Sequence, residues 1–144
     1  YRMTDISAAL GLSQMQRLDE FVAKRHAIAK RYETLLANLP VLVPWQHPDS
    51  YSSFHLYLVR LKLGDIMHKH RTVYEVLRAA GIQVNLHYIP VYRHPYYEKM
   101  GFRAGYCQAA EEYYSEVLSI PMYPALTVDQ QGMVVEELKK ILLA

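Results

Sequence analysis

Cysteine, tryptophan and phenylalanine are scarce in this 144-residue sequence, with one, one and three copies. The lone Cys107 excludes an internal disulfide framework and cannot by itself supply a zinc site of the four-cysteine kind. It fits a reducing compartment, so the expected address is cytoplasmic and the thiol is expected to be partly buried and structural. Charge of one sign is lacking as well. The 16 Lys and Arg against 14 Asp and Glu leave +2, with no basic or acidic run, so composition gives no purchase to nucleic acid or to an anionic membrane. No stretch approaches the roughly 20 consecutive apolar residues of a membrane span. The six glycines are isolated, and none opens a helix after a strand in a fingerprint spacing, which removes nucleotide binding by that route. A G-x-S-x-G nucleophile motif is absent. His68 and His70 stand at i and i+2 of a helix start, point to different sides and read as solvated residues. His87 and His94 could converge, but no third metal ligand lies in evident spacing.

At 51% apolar and 21% charged the composition is that of a folded globular chain, long enough for one core. Thr4 and Asp5 make an N-cap and first turn. Leu18, Phe21, Val22, Ile28, Ala29, Tyr32, Leu35 and Leu36 then recur at three- and four-residue spacing, predicting one long helix over residues 1–37. Its first turns are small and apolar (Ser7, Ala8, Ala9, Gly11) and are expected to press on something other than this domain. A Pro-containing loop over 38–53 leads to a central strand at 54–62. A helix from about Met67 to Ala80 follows, with Gly81 in the left-handed C-terminal position. Residues 82–88 alternate Ile82, Val84 and Leu86 against Gln83, Asn85 and His87, which predicts a strand with one polar face. Residues 89–106 read as a long ordered loop. Ala110, Tyr113, Tyr114, Val117 and Leu118 mark a helix, Ser119–Tyr123 a short edge strand, and Thr127 with Gln130 the capping box of a closing helix. The fold class expected is α+β: a small antiparallel or mixed sheet of about three strands packed by helices, in a domain over 38–144 preceded by the long helix.

Thirteen tyrosines stand against three phenylalanines, and Tyr88, Tyr92, Tyr96, Tyr97 and Tyr106 concentrate around one loop. An apolar ring with a polar tip suits a sugar or a nucleobase, and suits internal packing or a subunit interface equally. The residues themselves leave both readings open.

Two stretches carry a resemblance. Tyr1 to Phe21 (YRMTDISAALGLSQMQRLDEF) resembles the segment that links the large and small domains in the DegT/DnrJ/StrS family of sugar aminotransferases. His87 to Tyr97 (HYIPVYRHPYY) is similar to that family's H-Y-x-P loop, and the two fall in the right order with the right elements between them. The resemblance implies the C-terminal small domain of a fold type I enzyme that uses pyridoxal phosphate. It also implies a homodimer passing an amino group from an amino acid, commonly glutamate, to a keto sugar on a UDP carrier.

The same resemblance implies that the cofactor-binding domain and the lysine that carries the cofactor lie upstream. The chain starts at Tyr1 rather than Met and enters helical sequence at once, which also predicts further sequence before it. No catalytic or cofactor-binding residue is then expected within the chain, and by itself it is expected to be inactive. Residue by residue, the implied substrate contacts are Arg2 with Tyr1, near a partner's active site; His87, donating a hydrogen bond to the sugar nucleotide; Tyr88, as a wall; and Tyr92. Tyr92 stands where many relatives have a second His, a feature that resembles members acting on the route to pseudaminic acid. Two alternatives stay open at this point: a pyridoxamine-dependent sugar dehydratase, in which His replaces the upstream lysine, and a non-enzymatic interaction domain built on the tyrosines.

Overall fold

The computed structural model describes residues 2–144. Helix α1 (Asp5–Met15) starts as its sequence dictates: Thr4 Oγ1 accepts the Ser7 N–H at 3.3 Å, and Asp5 faces the positive end of the helix. The single long helix expected over 1–37 is broken. After Met15 the last turn tightens, with the Arg17 N–H bonding the Gln14 carbonyl at 3.0 Å. Arg17 leaves helical geometry at φ −107° and ψ 1°, its guanidinium 4.7 Å above the Phe21 ring. Helix α2 (Leu18–Leu36) restarts there. Every residue of α1 is exposed, whereas α2 buries Ile28, Ala29, Tyr32 and Leu36 in the core that also holds the sheet.

The sheet has three antiparallel strands, β1 (Val41–Leu42), β2 (Tyr57–Leu61) and β3 (Val117–Ile120), in that spatial order. Val41 pairs with Leu61, and Tyr57 with Ile120. The central strand is therefore the one expected, shortened at both ends. Alternation along β2 buries Tyr57, Val59 and Leu61 on one face and leaves Leu58 and Arg60 half-buried on the other. Arg25 of α2 fixes the entry to β2 and the exit from β3, donating to the carbonyls of Phe54, His55 and Met122 at 2.8, 3.0 and 3.1 Å. All three contacts are made by Nη1 of this half-buried guanidinium, so the carbonyls stand in for a carboxylate partner on its inward side.

Helix α3 (His70–Ala79) buries Val73 and Leu77 and packs against the closing helix. Gly81, at φ +81°, ends it: the Ile82 N–H reaches back to the Leu77 carbonyl at 2.9 Å, a Schellman closure that only a residue tolerant of positive φ permits cheaply. The expected loop over 89–106 contains a 3-10 turn at Val91–Arg93 and the short helix α4 (Pro95–Lys99). Val117 and Leu118 leave the helix expected to contain them. Helix α5 (Gln108–Glu116) stops at Glu116 and passes directly into β3, whose four residues are all buried and pair with β2. Pairing and burial override the helical spacing here.

Helix α6 (Val128–Leu142) carries the capping box as expected. Thr127 Oγ1 accepts the Gln130 N–H at 3.2 Å, and Gln130 Oε1 accepts the Thr127 N–H at 3.0 Å. Gln131, buried, donates to the Ile28 carbonyl at 2.8 Å and so joins α6 to α2. The result is an α+β layer structure, with α2, α3 and α6 packed over one sheet face and α5 on the Arg60 side. Among the described residues no helix is long and apolar enough to cross a membrane.

Candidate functional site

The segment after α3 sets the site. Ile82 and Val84 are buried, but the strand expected over 82–88 shrinks to one bridge, Asn85 to Ser119 on the outer side of β3. The Asn85 N–H donates to the Ser119 carbonyl at 3.3 Å, and the Ser119 N–H returns to the Asn85 carbonyl at 2.9 Å. Beyond that bridge the alternation slips. Leu86 is half-buried and His87, expected on the polar face with Gln83 and Asn85, turns inward to 8% exposure. With no further ladder bonds to hold the pleat, the segment is free to rotate His87 toward the Ser119 hydroxyl.

His87 Nε2 lies 2.8 Å from Ser119 Oγ, and Nδ1 is buried without a hydrogen-bond partner. Burial alone holds the imidazole below its ordinary pKa, so it is uncharged at neutral pH. Tyr88 follows through a cis peptide bond and is 72% exposed, its ring edge-on to the imidazole with centroids 4.6 Å apart. An uncharged, desolvated imidazole beside an outward-facing phenol can hydrogen-bond and wall a polar ring, but cannot supply a positive charge.

Tyr92 is placed on the 3-10 turn with its hydroxyl committed: it lies 2.9 Å from Glu111 Oε1 and 3.0 Å from the Cys107 carbonyl. Glu111 is a hub. It also accepts from the Gly105 N–H at 3.1 Å and from Arg93 at 2.9 Å. The Gly105 N–H foremost, with Tyr92 and Arg93, holds its carboxyl below the usual range, while partial desolvation opposes them. The rings of Tyr92, Tyr106, Phe102 and Tyr97 follow one another at centroid distances of 5.5, 5.1 and 6.3 Å. Much of the tyrosine cluster thus packs on itself and is stapled to α5 through Glu111. A groove of about 690 Å³ runs between α3 and α5, lined by Leu86, Arg93 and Glu111 on one side and His70, Arg71 and Tyr74 on the other.

Arg2 is exposed ahead of α1 and takes no part in this cluster; Tyr1, expected beside it, lies outside the described residues. His70 is half-buried and its Nε2 lies 2.9 Å from the Val117 carbonyl, so it anchors the start of α3 to β3, contrary to its reading as solvated. Cys107 is exposed, against the partly buried thiol expected. Among the described residues no group of three His, Cys, Asp or Glu could hold a metal. All seven lysines are exposed, Lys24 and Lys140 paired with Glu20 and Glu137. A desolvated amine of the kind that attaches pyridoxal phosphate is not found among these solvated side chains. Ser119 and Glu111 escaped the sequence reading. A serine within the apolar run Val117–Ile120 is the signal that could have found the first, since a buried hydroxyl must have a partner.

Several known proteins are similar to this chain in sequence or in structure. The spore coat polysaccharide biosynthesis protein SpsC of Bacillus subtilis is 36% identical over 96% of this chain and 36% of its own length. The UDP-4-amino-4,6-dideoxy-N-acetyl-beta-L-altrosamine transaminase of Campylobacter jejuni is 32% identical over 99% of the chain and 38% of its length. Streptococcus pneumoniae Spr1654, solved in PLP and PMP forms, superposes its PLP form with a TM-score of 0.90 at 27% identity, over 97% of this chain and 36% of that one. The chain therefore spans little more than a third of the length of the proteins it matches. Residues 1–139 match the DegT/DnrJ/EryC1/StrS aminotransferase family across nearly the whole of this sequence, and the chain belongs to that family.

Proposed function

We propose that the chain is the substrate-facing small domain of a pyridoxal-phosphate-dependent aminotransferase that moves an amino group from glutamate to a 4-keto sugar on UDP, within a cytoplasmic homodimer. The observation that carries this reading is the His87–Tyr88 pair, a neutral buried imidazole next to an outward phenol at the rim of the domain. Such a pair offers hydrogen bonding and ring contact without net charge, which suits the hydroxyl-rich face of a hexose. Tyr92 acts at one remove: by holding Glu111 it fixes the loop that starts at Tyr88. Arg2, on an exposed segment leading into α1, supplies charge for phosphate or substrate when another subunit faces it. The apolar side chains exposed on α1, among them Ile6, Leu10 and Leu12, are the surface such a neighbour or the cofactor-binding domain would cover.

The cofactor supplies an electron sink when bound, and the lysine that carries it belongs to polypeptide beyond these residues. What this chain contributes is therefore binding and orientation. Among family substrates the reading favours the UDP-linked amino sugar named for the Campylobacter relative, on the strength of 32% identity over 99% of the chain. The test is amino transfer by the full-length protein from glutamate to the matching UDP-4-keto hexosamine, followed by mass spectrometry of the sugar nucleotide. Aminated product supports the reading, and its absence across UDP- and dTDP-4-keto hexoses in the presence of glutamate and cofactor overturns it. The 144-residue chain alone is expected to give no turnover and no stoichiometric cofactor absorbance. A band abolished by changing one of its lysines would contradict that.

A further inference from the structure

We propose that Ser119 is a positioning residue for His87: it holds the imidazole in the Nε2–H form, so that Nδ1 meets the ligand as an unprotonated acceptor for a hydroxyl or N–H of the sugar. The placement of His87 at the ligand rests on the function proposed above. The role of Ser119 rests on geometry alone.

Ser119 Oγ has two neighbours, His87 Nε2 at 2.8 Å and the Asn85 carbonyl at 3.5 Å. If Nε2–H donates to Oγ, the serine hydrogen is free to turn toward Asn85, every hydrogen has an acceptor, and only the lone pair on Nδ1 is left over. If the serine donates to Nε2, the imidazole hydrogen moves to Nδ1, which is buried and unpartnered. A buried N–H without an acceptor is costlier and rarer than an unused lone pair. The first arrangement wins, and Ser119 can hold it firmly because it is itself buried, with its own N–H and carbonyl pinned to Asn85. The outcome reverses the polarity expected of this histidine, from donor to acceptor. Nδ1 has no accessible surface as the chain stands, and the ring in edge contact with the imidazole is that of Tyr88. Contact of Nδ1 with a ligand therefore requires a side chain to move, and Tyr88, 72% exposed and outside the core, is the neighbour with room to do so.

The measurement is the histidine ¹⁵N–¹H multiple-bond correlation spectrum of the labelled protein at mildly alkaline pH, where the two neutral forms have distinct nitrogen shifts. His87 is expected wholly as Nε2–H in the natural protein and in Ser119→Thr, which keeps the hydroxyl, and as a mixture or as Nδ1–H in Ser119→Ala. A natural protein carrying the hydrogen on Nδ1, or an alanine variant with an unchanged pattern, overturns the proposal. The first of these needs no variant to fold. In the full-length enzyme Ser119→Ala should raise KM for the sugar nucleotide by up to about tenfold, the worth of one neutral hydrogen bond, with Ser119→Thr restoring it. A tautomer that follows Ser119 while KM stays constant overturns the placement of His87 at the ligand and leaves the role of Ser119 standing.

Discussion

Tyr32 and Tyr57 lie ring to ring in the core, centroids 5.1 Å apart, and neither is exposed. Their hydroxyls have opposite fates. Tyr32 donates to the Pro121 carbonyl at 3.0 Å and so ties α2 to the end of β3, whereas the Tyr57 hydroxyl is buried without a partner. Replacing either by Phe keeps the ring and opens no cavity, so each change isolates a hydroxyl. Tyr57→Phe removes a desolvated polar group with nothing to offset it, and is expected to stabilise the fold by about 1 kcal/mol. Tyr32→Phe removes a made bond and strands a carbonyl, and is expected to cost about 1 kcal/mol. At about 2–4 °C per kcal/mol for a chain of this size, the two variants should melt on opposite sides of the natural protein. Urea titrations at neutral pH decide it, read as midpoints at constant slope. If Tyr57→Phe loses stability alongside Tyr32→Phe, the hydroxyl has a partner and the reasoning fails. The pair also sets an alkaline limit. Burial pushes both phenols above the ordinary 10.0, so the folded chain retains protons that the unfolded one sheds. Stability is full below about pH 10 and falls as pH rises from there, less steeply in Tyr57→Phe.

Two further outcomes follow from single contacts. Thr127→Ala deletes one half of the capping box and should cost about 0.5–2 kcal/mol by the same titration, with Thr127→Ser nearly neutral. Glu111 has a lowered pKa, so the hold it exerts on Tyr92, Arg93 and Gly105 is present above the ordinary carboxylate value of 4.5 and is lost as pH falls through the depressed one. Amide exchange across 89–106 should therefore accelerate in acid and be fast at all pH in Glu111→Ala; an equal pH response in that variant would remove Glu111 from the account.

The elements most legible in the sequence were those whose signal is local. The capping box at Thr127 and the left-handed Gly81 depend on neighbours three to five residues away, and both are present as read. The central strand was visible because β2 is dense in branched and aromatic residues with a two-residue period. What the sequence could not show depends on partners far along the chain. Val117 and Leu118 fit a helical stripe, yet β2, some 57 residues earlier at Arg60–Val117, claims them for a strand. The break at Gln16–Arg17 has no Gly or Pro to announce it, only a tightened turn and a cation over Phe21. In the site, His87 and Tyr88 could be picked out from their loop, but the inward turn of His87 could not, because it follows from the end of a one-residue bridge to Ser119.

The supports of the candidate site also share a single mechanical unit. Glu111, which staples the aromatic loop, and Ser119, which faces His87, lie on α5 and β3, and those two elements join without an intervening loop at Glu116–Val117. That junction is itself clamped: Arg60 of β2 donates through two nitrogens to Glu116 at 3.0 and 2.7 Å and lies over the Tyr113 ring. Both nitrogens converge on one oxygen, Oε2, of this half-buried carboxylate, a charge-assisted contact that holds the end of α5 against β2. Any change of phase in α5 would therefore shift Glu111 and Ser119 together, carrying Tyr92 and His87 with them. The loop and the histidine, remote from each other in hydrogen-bonding terms, are set by one helix-to-strand joint. Substitutions at Arg60, which touches neither, are the ones that should disturb both at once, and those at Glu111 or Ser119 only one.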